Sequence, residues 1–201
     1  MTQAKNPYHK ENLRRDLLDA GRDYLVTHGH TSLSIRSLAQ IVGVSPGAPY
    51  HHFPDRRSLL LALAIEGYEE MMAGVGKAVG GASGTADQLE AMGVHFIAFS
   101  KKNPHLVELM YESELTTPTL DRQLLDYQIR AHKALRGLIA EHLPDITEDE
   151  ADVRTIAFWS AVYGFANMLR KGLIYPDGVM DFKERQLSLA IVHQAVLMAI
   201  T

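Results

Sequence analysis

Apolar residues recur every three to four positions through almost the whole chain, and no stretch alternates with a period of two. The pattern predicts helices from end to end. The first covers residues 12–28, with Leu13, Leu17, Leu18, Tyr24 and Leu25 on one side and Gly29 as its stop. Ser34 is placed to cap the second, which turns Ile35, Leu38, Ala39 and Val42 inward and ends at Gly43. Ser45 caps a short third helix over residues 46–53, with Pro46 at its first position. Pro49 falls in the first turn, where it is expected to remove no essential hydrogen bond. After Pro54, Asp55 caps a long fourth helix carrying Leu59, Leu60, Leu63, Ala64 and Met71.

The stretch GVGKAVGGASGTA, residues 74–86, holds five glycines and few large side chains and reads as a flexible junction. Beyond it the helical period resumes over residues 85–102, 104–112, 118–142, 147–170 and 181–200. Thr147 and Glu150 form a capping-box pattern, with acids at the positive end of the helix dipole. Gly172 and Pro176 follow as stops. The expected architecture is all-α with about nine helices. Residues 1–60 form a small three-helix domain, and the fourth helix joins it to a larger helical domain over residues 61–201.

Composition narrows the function. The chain has 201 residues, 46% of them hydrophobic, so a substantial core is available. It has no cysteine, which excludes disulfides, thiolate metal sites and cysteine nucleophiles, and fits a cytoplasmic protein. The opening residues MTQAKNPYHKEN lack a basic-then-apolar leader, so export is not expected. The most apolar window, residues 156–169, contains Ser160 and Asn167 and is too short for a membrane span. The net charge of −4 is unevenly spread. Residues 1–60 hold eight Lys/Arg against five Asp/Glu, a net +3, and five of the ten histidines. The remainder carries −7. A basic head on an acidic body points to a polyanion met by the head alone.

Helix, tight turn and short helix make a helix-turn-helix pattern, whose second helix enters the DNA major groove. Ala39 is small where the helices cross, Gly43 permits the turn and Val44 plugs the core. Ser45 begins the reading helix, with its free N–H groups and dipole expected to face phosphate. Gly47 and Ala48 are small enough for close approach to base edges. Tyr50 and His52 stand at the groove margin. Arg56 opens the next helix, where a cation meets backbone phosphate.

The stretch SLSIRSLAQIVGVSPGAPYHHFPDRRSLLLAL, preceded by LLDAGRDYLVTHG, closely resembles the DNA-binding domain of TetR-family transcriptional regulators over about residues 13–65. The resemblance implies a homodimer on a pseudo-palindromic operator, repression, and release by a small molecule in the C-terminal domain. By position it assigns Ser34 and Arg36 to phosphate or groove-edge contacts. Ser45, Gly47 and Ala48 fall at the start of the recognition helix, Tyr50 on phosphate, and His51 on base or phosphate. Arg56 stands where the family has lysine. Phe53 and Leu59 fall on packing positions. FWSAVYGFANMLRKGLI, residues 158–174, is similar to the Trp-His-Gly stretch of one C-terminal subgroup, with Tyr163 at the histidine position. The resemblance puts the dimer interface on the last two helices. The penultimate helix is apolar nearly all round at its centre and needs cover on more than one side.

Other chemistry finds little support. His51 and His52 project about 100° apart on a helix and cannot easily share an ion. No histidine pair has the i, i+4 spacing of a helical zinc site, and no G-x-S-x-G, Walker or G-x-G-x-x-G loop occurs. Glu108, Glu112 and Glu114 read as a solvated acidic face. No enzyme, metal or cofactor is expected. Met92, Phe96, Phe99, Met110, Tyr111, Tyr127, Trp159 and Tyr163, with His95 and Asn167 as polar anchors, are candidates for an effector pocket, with ordinary core packing as the alternative for each. They suggest a hydrophobic or aromatic small molecule. The rival is a helical DNA-binding regulator with no small-molecule effector, constitutive or controlled by a protein partner.

Overall fold

The computed structural model describes residues 12–174 and 183–201. Among them are eight α-helices, one 3-10 turn and no strand. In chain order they are α1 (Leu13–His28), α2 (Ile35–Val42), the 3-10 turn Ala48–His51, α3 (Arg56–Val79), α4 (Thr85–Lys102), α5 (Pro104–Tyr111), α6 (Arg122–His142), α7 (Glu148–Arg170) and α8 (Glu184–Ile200). The Pro176 stop and the start of the last helix near Asp181 lie outside the described residues.

Local chemistry accounts for most boundaries. Ser34 accepts the Ser37 N–H at 3.0 Å, and Ser37 answers with a bond from the Ser34 N–H. Gly43, at φ 79°, closes α2 in the left-handed region, donating to the Ala39 carbonyl. Asp55 accepts the Ser58 N–H at 2.7 Å and starts α3, and Thr147 accepts the Glu150 N–H at the start of α7.

Two expectations fail. The third helix is a single 3-10 turn. Pro49 would sit where an α-helix begun at Pro46 makes its first i→i−4 bond, and proline has no N–H to give. The chain forms i→i−3 bonds instead, from Ala48 to Ser45, Tyr50 to Gly47 and His52 to Pro49. The glycine junction is also shorter than expected, because α3 runs through Gly74 and Gly76 to Val79. Gly74 lies against the His95 ring, and a Cβ there would stand 2.3 Å from it. It is a packing contact, and the break in the helices falls at residues 80–84.

The chain forms two compact units. One comprises Met1–Glu66 with His105–Thr119, the other Gly67–Pro104 with Leu120–Thr201. In the first unit, here called the head, the core is built from Leu17, Leu18, Leu25, Leu38, Leu59, Leu60 and Leu63, with Leu109, Met110 and Leu115 also buried. In the second, the body, α4, α7 and α8 pack together and α6 lies against α7. Leu89, Phe96, Phe158, Val162 and Val192 are buried there. Gly93 lets α4 approach its neighbours closely: a Cβ would meet Val192 at 2.7 Å and Val162 at 3.3 Å.

Candidate nucleic-acid interface and the aromatic cluster

The head presents one surface with little internal use. Phe53 is buried behind the 3-10 turn with the Arg14 guanidinium 5.5 Å from its ring centroid, and Pro49 is buried beside it. These anchors leave Ser45, Gly47, Tyr50, His51 and His52 facing outward, Tyr50 at 44% exposure, with Ala48 half-buried. Gly47 has an ordinary right-handed backbone at φ −84°, and a Cβ there would meet nothing within 4 Å. The head's own packing therefore does not require glycine at this position. Close approach by another molecule would be one reason for a glycine there.

Arg36 projects from α2, exposed and without an ion pair among the described residues. A cation left in water is available to a phosphate. The other expected contacts are placed differently. Ser34 spends its hydroxyl on the α2 cap, bonded to Ser37. Ser45 opens no helix: it lies three residues before the four-residue 3-10 turn, which is too short to sum the peptide dipoles that a free helix N-terminus would offer to phosphate. Arg56 is turned inward: Nε donates to the Leu33 carbonyl at 2.7 Å, one terminal nitrogen to the His30 carbonyl at 2.7 Å, and the other to the Glu114 carboxylate. Glu114 is accordingly not part of a merely solvated acidic face. The sequence offers no signal for that contact, since 58 positions separate its partners.

The ten pocket candidates are divided between the two units. Met110 and Tyr111 lie on α5, which belongs to the head, and Met110 is fully buried. In the body, Phe96 packs edge-on against Trp159 at 4.7 Å between centroids, and Tyr163 lies 5.8 Å from Trp159 and 6.2 Å from Phe96. Phe99 is buried, its ring 6.4 Å from that of His95, and Met92 is half-buried. Asn167 accepts a bond from Arg170 at 2.7 Å. Tyr127 stacks on the buried Tyr68, donates to Glu69 at 2.9 Å and lies under the Arg130 guanidinium. Burial, and then the bond to Glu69, raise its pKa above the usual phenol range. His95 hydrogen-bonds the Met71 backbone while its Nε2 is buried without a partner, and burial holds its pKa below the ordinary histidine value.

No group of three or more metal-ligating side chains occurs among the described residues, and no helix there is long and apolar enough to cross a membrane.

The comparisons with known proteins agree with this geometry. Residues 17–63 match the family model for bacterial regulatory proteins of the tetR family, and residues 89–189 match the tetracyclin repressor-like C-terminal domain. An HTH-type transcriptional repressor of Mycobacterium tuberculosis is 40% identical over 65 residues, 32% of this chain and 35% of that one. The nucleoid occlusion factor SlmA of Vibrio campbellii is 32% identical over 113 residues, 52% of this chain and 57% of its own length. The matches thus span between about a third and just over half of these relatives. A protein of unknown function from Rhodococcus sp. RHA1 superposes with a TM-score of 0.79 at 27% identity, covering 96% of this chain and 97% of that one. A regulatory protein designated SCO4313 shares the fold at 17% identity, with a TM-score of 0.74 over 96% and 98% of the two chains. The N-terminal match falls on the helix-turn-helix head and the C-terminal match on the helical body, and the chain belongs to the TetR family of DNA-binding transcriptional regulators.

Proposed function

We propose that this regulator is a repressor that binds a pseudo-palindromic operator as a homodimer, one head to each half-site. Arg36 and Tyr50 hold the phosphate backbone, while Ser45, Gly47, Ala48 and His51 face the base edges. Ser34 sets the angle of α2 through its cap. The observation that carries this reading is the open Gly47, whose bare backbone has no internal purpose, set among the exposed Tyr50, His51 and Arg36. Residues 1–60 supply the DNA-binding surface and residues 61–201 the dimerisation and effector functions. A chromosomal operator as partner puts the protein to work in the cytoplasm. Selection of bound duplexes from a random pool tests the reading. Enriched sequences should show two inverted half-sites about one helical turn, roughly 34–36 Å, apart.

The second copy is supported by an apolar face on α7 and α8. Val153 is 65% exposed and Ile156 57%, with Met168 further along α7 and Leu189, Leu197 and Met198 on α8. Two such helices from each copy, related by a two-fold axis, cover one another.

Release by a hydrophobic or aromatic effector is supported by the Phe96–Trp159–Tyr163 cluster. One observation favours regulation without an effector: the three rings pack on one another, and Tyr127 is already bonded to Glu69. Trp159 is the chain's single tryptophan, so its fluorescence reports on that cluster alone. A saturable change with aromatic compounds that also lowers operator affinity would support sensing; silence across a broad panel favours the effector-free form.

A further inference from the structure

Arg56 occupies the position of a phosphate-binding cation, yet its donors are spent inside the head. Three of its acceptors are carbonyls of the turn between α1 and α2: Leu33 at 2.7 Å, His30 at 2.7 Å and Thr31 at 3.3 Å. The fourth is the Glu114 carboxylate, from the segment after α5. Arg57 also donates to the Glu114 backbone carbonyl at 2.7 Å. The two arginines that open α3 therefore grip one residue by its side chain and its main chain. The turn carbonyls lead directly into Ser34, which caps α2.

A guanidinium presents its donors in a rigid plane, so four acceptors on three sides fix its orientation and are fixed by it. Every bond from the cationic guanidinium is charge-assisted, and Glu114, the one anion among the acceptors, adds ion-pair attraction to its bond. The carboxylate thus holds the guanidinium, and the guanidinium holds the turn. An ammonium on a flexible stem cannot bridge the same set.

We propose that Arg56 is a positioning residue for DNA reading rather than a phosphate contact, and that Glu114 is the residue through which it is set. Together they lock the 30–33 turn, and with it the Ser34 cap and the orientation of α2 and the 3-10 turn. Segment 105–119 continues covalently into α4 on one side and α6 on the other, both in the body. This proposal rests on the operator-binding reading above.

The test measures binding of the full chain to its selected operator and to an unrelated duplex of equal length, across a salt series. The variants are Arg56→Lys, Arg56→Ala and Glu114→Gln, and amide exchange of residues 31–37 is followed in each. Lysine keeps the charge and loses the fork. Arg56→Lys and Glu114→Gln should each weaken operator binding about tenfold, the loss of one charge-assisted bond, and raise exchange across 31–37. Binding to the unrelated duplex should not fall, and the salt slope should not drop. The double variant should be little worse than Arg56→Lys alone, because both changes break one link. Glu114→Gln removes a negative charge, which at long range favours any DNA, so weaker operator binding has no electrostatic explanation. A salt slope that drops by about 0.9 in Arg56→Ala and returns in Arg56→Lys would identify a phosphate contact and overturn the proposal. Unchanged operator affinity and exchange in Glu114→Gln would overturn it equally, and that variant serves if the alanine variant does not fold. A wild-type chain that prefers no duplex would instead defeat the operator reading, before any variant is compared.

Discussion

Gly47 in the head and Gly93 and Gly74 in the body sit in opposite surroundings. In the head, Gly47 faces open space with an ordinary backbone, so nothing inside the protein demands it. In the body, Gly93 and Gly74 are filled from outside: Val192 lies where the Cβ of Gly93 would be, and His95 where that of Gly74 would be. The polar side chains named in the two sites also differ. Arg36, Tyr50 and His51 are left to solvent, whereas Tyr127, Asn167 and Asp152 are bonded within the body. An open glycine is not confined to the head, since Gly137 and Gly164 in the body also meet nothing within 4 Å; what sets Gly47 apart is its place among the exposed Tyr50, His51 and Arg36. A small residue tightly covered marks a helix crossing. The sequence shows glycine in both places and cannot tell them apart.

The largest expected effect lies on the body's exposed face. Ile156→Glu would force a carboxylate into the proposed dimer contact, where burying an unpaired charge costs several kcal/mol. The dimer dissociation constant should rise at least about a hundredfold, as read by sedimentation, with the monomer's helix content kept. A variant that dimerises normally would show that the exposed α7 face is not the contact. Next comes the filled glycine. Gly93→Val overpacks the crossing of α4 with α7 and α8 and should cost about 1–3 kcal/mol. For a chain of this size that is about 2–4 °C of melting temperature per kcal/mol. DNA affinity at low temperature should be kept.

The open glycine should give the reverse pattern. Gly47→Ala suits the observed backbone and should stabilise the fold by about 0.5 kcal/mol, through a less flexible unfolded chain. It should nonetheless weaken operator binding severalfold, because the added methyl stands on the reading surface. Equal operator affinity would remove Gly47 from the interface. Arg36→Ala should leave the melting temperature unchanged, weaken binding to every duplex, and lower the salt slope by about one phosphate contact.

The smallest effect tests the body by pH. Burial holds the His95 pKa below its ordinary 6.5, so the folded state resists the proton that the unfolded chain accepts. The unfolded state then binds more protons, and stability rises with pH. The His95 contribution is complete above the unfolded value and is lost as pH falls from 6.5 toward the folded value. His95→Phe should flatten that decline in a melting series, while Gly47→Ala should leave its shape unchanged. Equal slopes in His95→Phe and the parent would mean that His95 does not remain neutral in the fold.

Much of this was legible along the chain. Ser34, Gly43, Asp55 and Thr147 act on neighbours three or four residues away, so their caps and stops could be read locally. The apolar surplus on α7 was legible too: it buries Phe158 and Val162 on one side and leaves Val153 and Ile156 exposed on another. Pro49 misled because its missing N–H matters only once the helix start is known, and a start at Pro46 makes it the first i→i−4 donor. The aromatic candidates show a different limit of local pattern. Helical periodicity places Met110 and Trp159 on inward faces without saying which core each one enters.

Local pattern was enough to establish an all-helical chain with a helix-turn-helix head, because helix period, caps and turns are short-range and leave their marks within a few residues. It could not establish that segment 105–119 joins that head, that Arg56 bonds the 30–33 turn and Glu114, or that Gly74 and Gly93 are crossings rather than joints. Each depends on which surfaces meet across many intervening residues. That outcome follows from packing over the whole chain, where every side chain competes for the same few positions.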